Sequence, residues 1–283
     1  MRPIDALKCL AVTVAALVAS AGLGSAASTL DNAKSAGYIR VGFPNQVPYA
    51  YADDKGQLTG VDADIARRVV KHMGIAEMDG VLTEFSSLIP GLKAGRFDMV
   101  LAMFVNPTRC AEVAFSEPAY SVGQALLVAK DNPKKIAGYD DLVKGDAKIA
   151  VMSGAVQANY LKTLGVAEGR IQSYPDMTGS VAAVTSGRAD VFAISALAAR
   201  RLIATDGGTS VSLVEGFSDP VVNGKPARGY DAFAVRKGDT ELLAAFNKAL
   251  AEVMAEPDFE SVIKPYGLTK KDLPDKKTAE LCR

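Results

Sequence analysis

The chain has 283 residues, 49% of them hydrophobic and 23% charged, the range of an ordinary soluble globular protein of one large or two modest domains. Lys plus Arg and Asp plus Glu balance at 32 each, without the basic excess a nucleic-acid partner requires. His72 is the only histidine, and there is no CxxC or HxxxH spacing, which argues against a transition-metal site; no cofactor is expected.

Read in chain order, the N-terminus gives the first signal. Arg2 and Lys8 precede a short apolar run, Cys9–Gly22, followed by the small residues Ser25, Ala26 and Ala27. This is the layout of a secretory signal peptide over residues 1–27, too short for a good membrane span. Cys9 begins the apolar run rather than ending it, which argues against a lipid anchor there. Export leaves two cysteines, Cys110 and Cys282, and an even count in an oxidising compartment suggests one disulfide.

The remainder alternates strand and helix signals. Tyr38–Gly42 has strand alternation, and Asp62–Met73 places Ile65, Val69 and Met73 on one helical face. A helix is predicted over Ser86–Ala94 despite Pro90, then a buried strand over Phe97–Phe104. Strand Lys148–Met152, helices Ala155–Leu164 and Thr178–Thr185, and strand Val191–Ile194 follow. Asp239–Ala255 is a long helix with Leu242, Leu243, Phe246, Leu250 and Met254 along one side. This order predicts α/β layers with largely parallel sheets. An internal echo points to two such units: Gly95-Arg96-Phe97-Asp98 and Gly187-Arg188-Ala189-Asp190 both join a helix to an apolar strand, with glycine supplying the left-handed turn.

Several stretches together resemble the bacterial extracellular solute-binding proteins of family 3, the polar amino-acid receptors of ABC importers. They are Gly60-Val61-Asp62-Ala63-Asp64-Ile65-Ala66, Leu88 to Asp98, Pro107-Thr108-Arg109, Phe115 to Tyr120, and Phe233 to Asp239. The ectoine- and hydroxyectoine-binding members also share Glu84-Phe85, Phe104, the Arg109-Cys110 pair and Leu281-Cys282. The resemblance implies a type II periplasmic-binding-protein fold, two α/β lobes joined by two hinge strands. Lobe one would take residues 28–122 plus 232–283 and lobe two residues 123–231, with ligand in the cleft between them. It also places Cys282 in lobe one, where it would meet Cys110.

The resemblance makes Arg109 the clamp for a ligand carboxylate, a role its planar fork of donors suits. It places Tyr49, Phe85 and Phe104 as three rings around a dispersed cation, with Gln46 at the cleft edge. In lobe two, Val156 and Gln157 open a helix whose backbone N–H groups can meet an anion, although Val156 stands where the family usually has threonine. Ser195 replaces the aspartate that amino-acid receptors use for the ligand's ammonium, which favours rings over a carboxylate at the positive end. The implied function is a monomeric periplasmic receptor that delivers a small zwitterion to an inner-membrane ABC permease, and not an enzyme. The alternatives are a polar amino-acid receptor and a cyclohexadienyl dehydratase-like enzyme, which needs a general acid in the cleft.

Overall fold

The computed structural model describes residues 27–206 and 210–283; the expected signal peptide, except Ala27, lies outside them. Among the described residues, two main sheets are built from β1 (Tyr38–Phe43), β2 (Glu77–Leu82), β3 (Met99–Phe104), β4 (Ala114–Phe115), β5 (Tyr120–Val122), β6 (Gln124–Ala129), β7 (Ile149–Met152), β8 (Ile171–Tyr174), β9 (Val191–Ser195), β10 (Val211–Leu213) and β11 (Gly229–Val235). The first sheet runs β2-β1-β3-β11-β4, with β5 also paired to β11; the second runs β8-β7-β9-β6-β10.

Pairings among β1, β2 and β3, and among β7, β8 and β9, are parallel, as the strand–helix alternation predicts. Each sheet departs from that expectation in the same way. β11 runs antiparallel to β3, β4 and β5, and β6 runs antiparallel to β9 and β10. These are the strands on which the chain crosses between lobes. β5 leads through Gly123 into β6, and β11 begins at Gly229, which pairs with Val122. At Gly123 a Cβ would stand 2.7 Å from the Asp219 carboxylate, which accepts a hydrogen bond from the Gln124 N–H at 2.6 Å. Only glycine permits that approach.

The predicted helices form within about two residues of their expected ends. The helix Val61–His72 buries Ile65, Ala66, Val69 and Val70, and its outer face carries His72, 3.0 Å from Glu256. The predicted segment 86–94 divides into a 3₁₀ turn, Phe85–Ser87, and the helix Leu88–Lys93, with Pro90 in the first turn where no N–H is missed. The strand expected from Phe97 begins at Met99, because Asp98 is diverted into ion pairs with Arg40 and Arg236. Cys110 and Cys282 are bridged, with Cα atoms 5.6 Å apart. The C-terminal tail is also held by Thr278, whose N–H donates to Glu117 at 3.1 Å, and by the Tyr230 hydroxyl, which donates to Asp275 at 2.6 Å.

Candidate ligand-binding cleft

A cleft lies between the sheets, and all eight residues singled out from the sequence line it. Tyr49 is placed by the start of a helix. The free N–H groups of Val61 and Asp62 donate to the carbonyls of Pro48 and Tyr49 at 2.9 and 3.0 Å, satisfying the first turn of Val61–His72. Gly60, at φ 116°, makes this possible, since a Cβ there would sit 2.3 Å from the Tyr49 carbonyl oxygen. Gln46, half-buried, closes the same loop through paired backbone bonds with Ala50. The buried Tyr49 ring packs edge-on against Phe104 at 5.9 Å and stacks on Tyr120 at 6.4 Å. Its hydroxyl crosses the cleft and donates to Ser195 at 2.7 Å.

Arg109 sits on the short helix Pro107–Cys110, whose N-cap Asn106 accepts from the Arg109 N–H at 2.9 Å. Its guanidinium is buried and donates to two backbone carbonyls, Phe104 at 2.6 Å in the first lobe and Gly154 at 3.0 Å in the second. Burial lowers its pKa to about 10, which leaves it charged at neutral pH. Among the described residues no carboxylate lies within ion-pair distance of it, so donors of the fork remain for an external anion.

The aromatic cage differs from the expectation in one respect. Phe85 lies under the Arg109 guanidinium, 5.2 Å from its centre, so one ring face serves the protein's own cation. Opposite, Val156 and Gln157 open the helix Val156–Thr163, whose N-cap, Ala155, has no side-chain acceptor. The first N–H groups of that helix therefore face the cleft uncapped, beside Arg109's partner Gly154. Gln157 is anchored by its side-chain bond to Gln124 at 2.8 Å.

Asp231 was not among the residues singled out. It is 1% exposed, sits on β11 opposite Phe104, and lines the cleft floor. Neither of its oxygens meets a protein donor, and the same holds for Oδ2 of Asp62, whose other oxygen accepts from the Tyr120 hydroxyl at 2.5 Å. The two carboxyls are close enough to hydrogen-bond when one is protonated. Burial pushes both above the usual carboxylate range. The Tyr120 hydroxyl partly offsets this for Asp62; for Asp231 the Asp62 charge adds to it and Arg109 opposes it. A carboxyl therefore stands in the cleft beside the rings. The available signal was an Asp inside the otherwise apolar run Tyr230–Val235.

This pair has a consequence for stability without ligand. A carboxyl whose pKa is raised on folding stabilises fully below its unfolded value of about 4, and that stabilisation is lost as pH rises through the folded value. Asp231→Asn removes the penalty while its amide can still donate to Asp62. The variant is expected to gain on the order of 1–3 kcal/mol over the unchanged protein at pH 8 and much less at pH 4. Urea denaturation at both pH values checks this; a difference independent of pH would refute it.

Residues 39–269 match the bacterial extracellular solute-binding proteins, family 3. The chain belongs to this family. A relative from Sinorhizobium fredii, a probable amino-acid ABC transporter periplasmic-binding protein, is 39% identical over 262 residues, covering 90% of this chain and 86% of its own length. The chain is also similar to the crystal structure of EhuB in complex with hydroxyectoine. That structure is 30% identical with a TM-score of 0.82, over 91% of this chain and 99% of the other. An ancestral amino acid-binding protein, a precursor of cyclohexadienyl dehydratase, is 31% identical with a TM-score of 0.72, over 85% and 99%. The two-lobed type II architecture is therefore that of a solute-binding protein.

Proposed function

We propose that this family-3 protein is the periplasmic receptor of an ABC importer, acting as a monomer exported by a cleaved signal peptide. It captures a small zwitterion by closing lobes made of residues 28–122 plus 232–283 and of residues 123–231. The observation that carries the reading is the buried Arg109 guanidinium, which has carbonyl but no carboxylate partners and faces the uncapped helix start at Val156 and Gln157. Both features favour a carboxylate in the cleft. Tyr49, Phe104, Gln46 and Ser195 supply the remaining walls. The ring faces and the likeness to the hydroxyectoine complex support an ectoine-like compatible solute. Asp231 favours a second reading, a polar amino acid, which the Sinorhizobium relative also supports.

The test is a thermal-shift screen followed by calorimetry, using ectoine, hydroxyectoine and the polar amino acids. The expected result is a zwitterion that raises the melting temperature, since ligand at a hundred times Kd stabilises by about 2.7 kcal/mol. A screen in which only sugars or inorganic ions bind would refute the reading, as would turnover of prephenate or arogenate by the purified protein.

A further inference from the structure

We propose that Asp231 binds the cationic group of the ligand, so that Arg109 and Asp231 hold the two ends of one zwitterion. This rests on the receptor reading above and specifies the ligand as one with a hydrogen-bonding cation, an ammonium or amidinium, alongside its carboxylate. A fully alkylated ammonium is excluded, because it has no N–H to offer the carboxylate oxygens.

Asp231 is almost wholly buried, faces the cleft, and has no protein donor on either oxygen. Buried carboxylate oxygens are normally hydrogen-bonded; a proton shared with Asp62 can satisfy one oxygen of Asp231, and the other, on the cleft floor, is where a donor from outside the chain is received. Arg109 does not supply it, because its fork is turned to the Phe104 and Gly154 carbonyls. Ser195, on the second-lobe wall, already accepts the Tyr49 hydroxyl.

The groups facing Asp231 define its charge. Asp62 comes from the helix Val61–His72, Tyr120 from β5, Tyr49 from the loop before that helix, and Arg109 from its own short helix. Arg200 acts on Tyr49 from the helix Ala196–Asp206. With one proton shared between Asp62 and Asp231, the pair carries a single negative charge. It balances Arg109, and the cleft as a whole is neutral and dipolar, the charge pattern of a zwitterion. A second proton on the pair removes the negative pole. Acid therefore weakens binding without touching Arg109.

The experiment is calorimetry on the mature chain with hydroxyectoine, ectoine and the polar amino acids as probes, repeated from pH 8 to pH 5. For the zwitterion that binds, Asp231→Asn is expected to lose about 30-fold or more in affinity at pH 8. The unchanged protein should lose affinity toward pH 5. Asp62→Asn keeps the Tyr120 bond through its carbonyl and donates its amide to Asp231, holding it ionised. It should therefore shift the loss of affinity to lower pH. Thermal unfolding of each variant separates a binding defect from a folding one. Affinity retained within threefold in Asp231→Asn, or a pH profile unmoved by Asp62→Asn, overturns the assignment while leaving the receptor reading intact. A panel in which no zwitterion binds the unchanged protein overturns both.

Discussion

Replacing Arg109 with alanine is expected to abolish capture of carboxylate ligands while leaving the fold intact. The guanidinium is buried, and its partners in the protein are neutral carbonyls, Phe104 at 2.6 Å and Gly154 at 3.0 Å. Asp231 offsets part of the desolvation cost of this charge without pairing with it, so a ligand carboxylate supplies the direct partner its donors lack. Losing one member of a desolvated charge pair costs about 2–5 kcal/mol, roughly 30- to 5,000-fold in affinity. Melting of the ligand-free variant should remain cooperative, which separates a loss of binding from a loss of fold. Arg109→Lys should recover only part of the affinity, since an ammonium keeps the charge but not the planar fork or the stacking on Phe85. Calorimetry and melting curves on both variants decide it. Unchanged affinity in Arg109→Ala would remove this residue from the site.

The second large effect concerns the covalent staple. Cys110 and Cys282 close a loop spanning a sequence separation of 172. In the chain-entropy view a loop of that length restricts the unfolded chain by up to about 5 kcal/mol. The double variant Cys110→Ser with Cys282→Ser should therefore lose about 2–5 kcal/mol in denaturant unfolding. Reductant should lower the midpoint of the unchanged protein to match. Thr278 with Glu117, and Tyr230 with Asp275, still hold the tail, so ligand affinity should fall far less than stability. An equal midpoint with and without reductant, or two thiols alkylated without prior reduction, would contradict the bridge.

Much of this architecture was legible in the sequence because local signals agreed with tertiary needs. The helix Val61–His72 lies one residue from its predicted start and end, since its apolar spacing matches the face it buries. Arg109, Tyr49, Phe85 and Phe104 were legible through the family resemblance, which pointed to each of these positions, and all four line the cleft. What they do was less legible. That Phe85 supports Arg109 depends on a contact between a turn and a short helix more than twenty residues apart, and that the Tyr49 hydroxyl reaches Ser195 depends on how the lobes face each other. Asp231 was missed for a related reason. An Asp near a strand start reads as a solvated edge residue, and it is buried here because β11 lies inside the sheet between β3 and β5.

That interior position of β11 also fixes an order of assembly. The second sheet is built from residues 124–213, one continuous stretch, and is complete when the last of those residues is available. The first sheet has β1, β2 and β3 in hand early, yet the β3 edge, Met99-Val100-Leu101-Ala102-Met103-Phe104, stays unpaired until residues 229–235 arrive. Contacts across so long a separation form late and slowly. In a chain emerging from its N-terminus, the middle lobe therefore finishes first and the flanking lobe last. For that interval the most apolar strand of the first lobe is an open edge, the kind of surface on which incomplete chains associate and which a holding chaperone would cover.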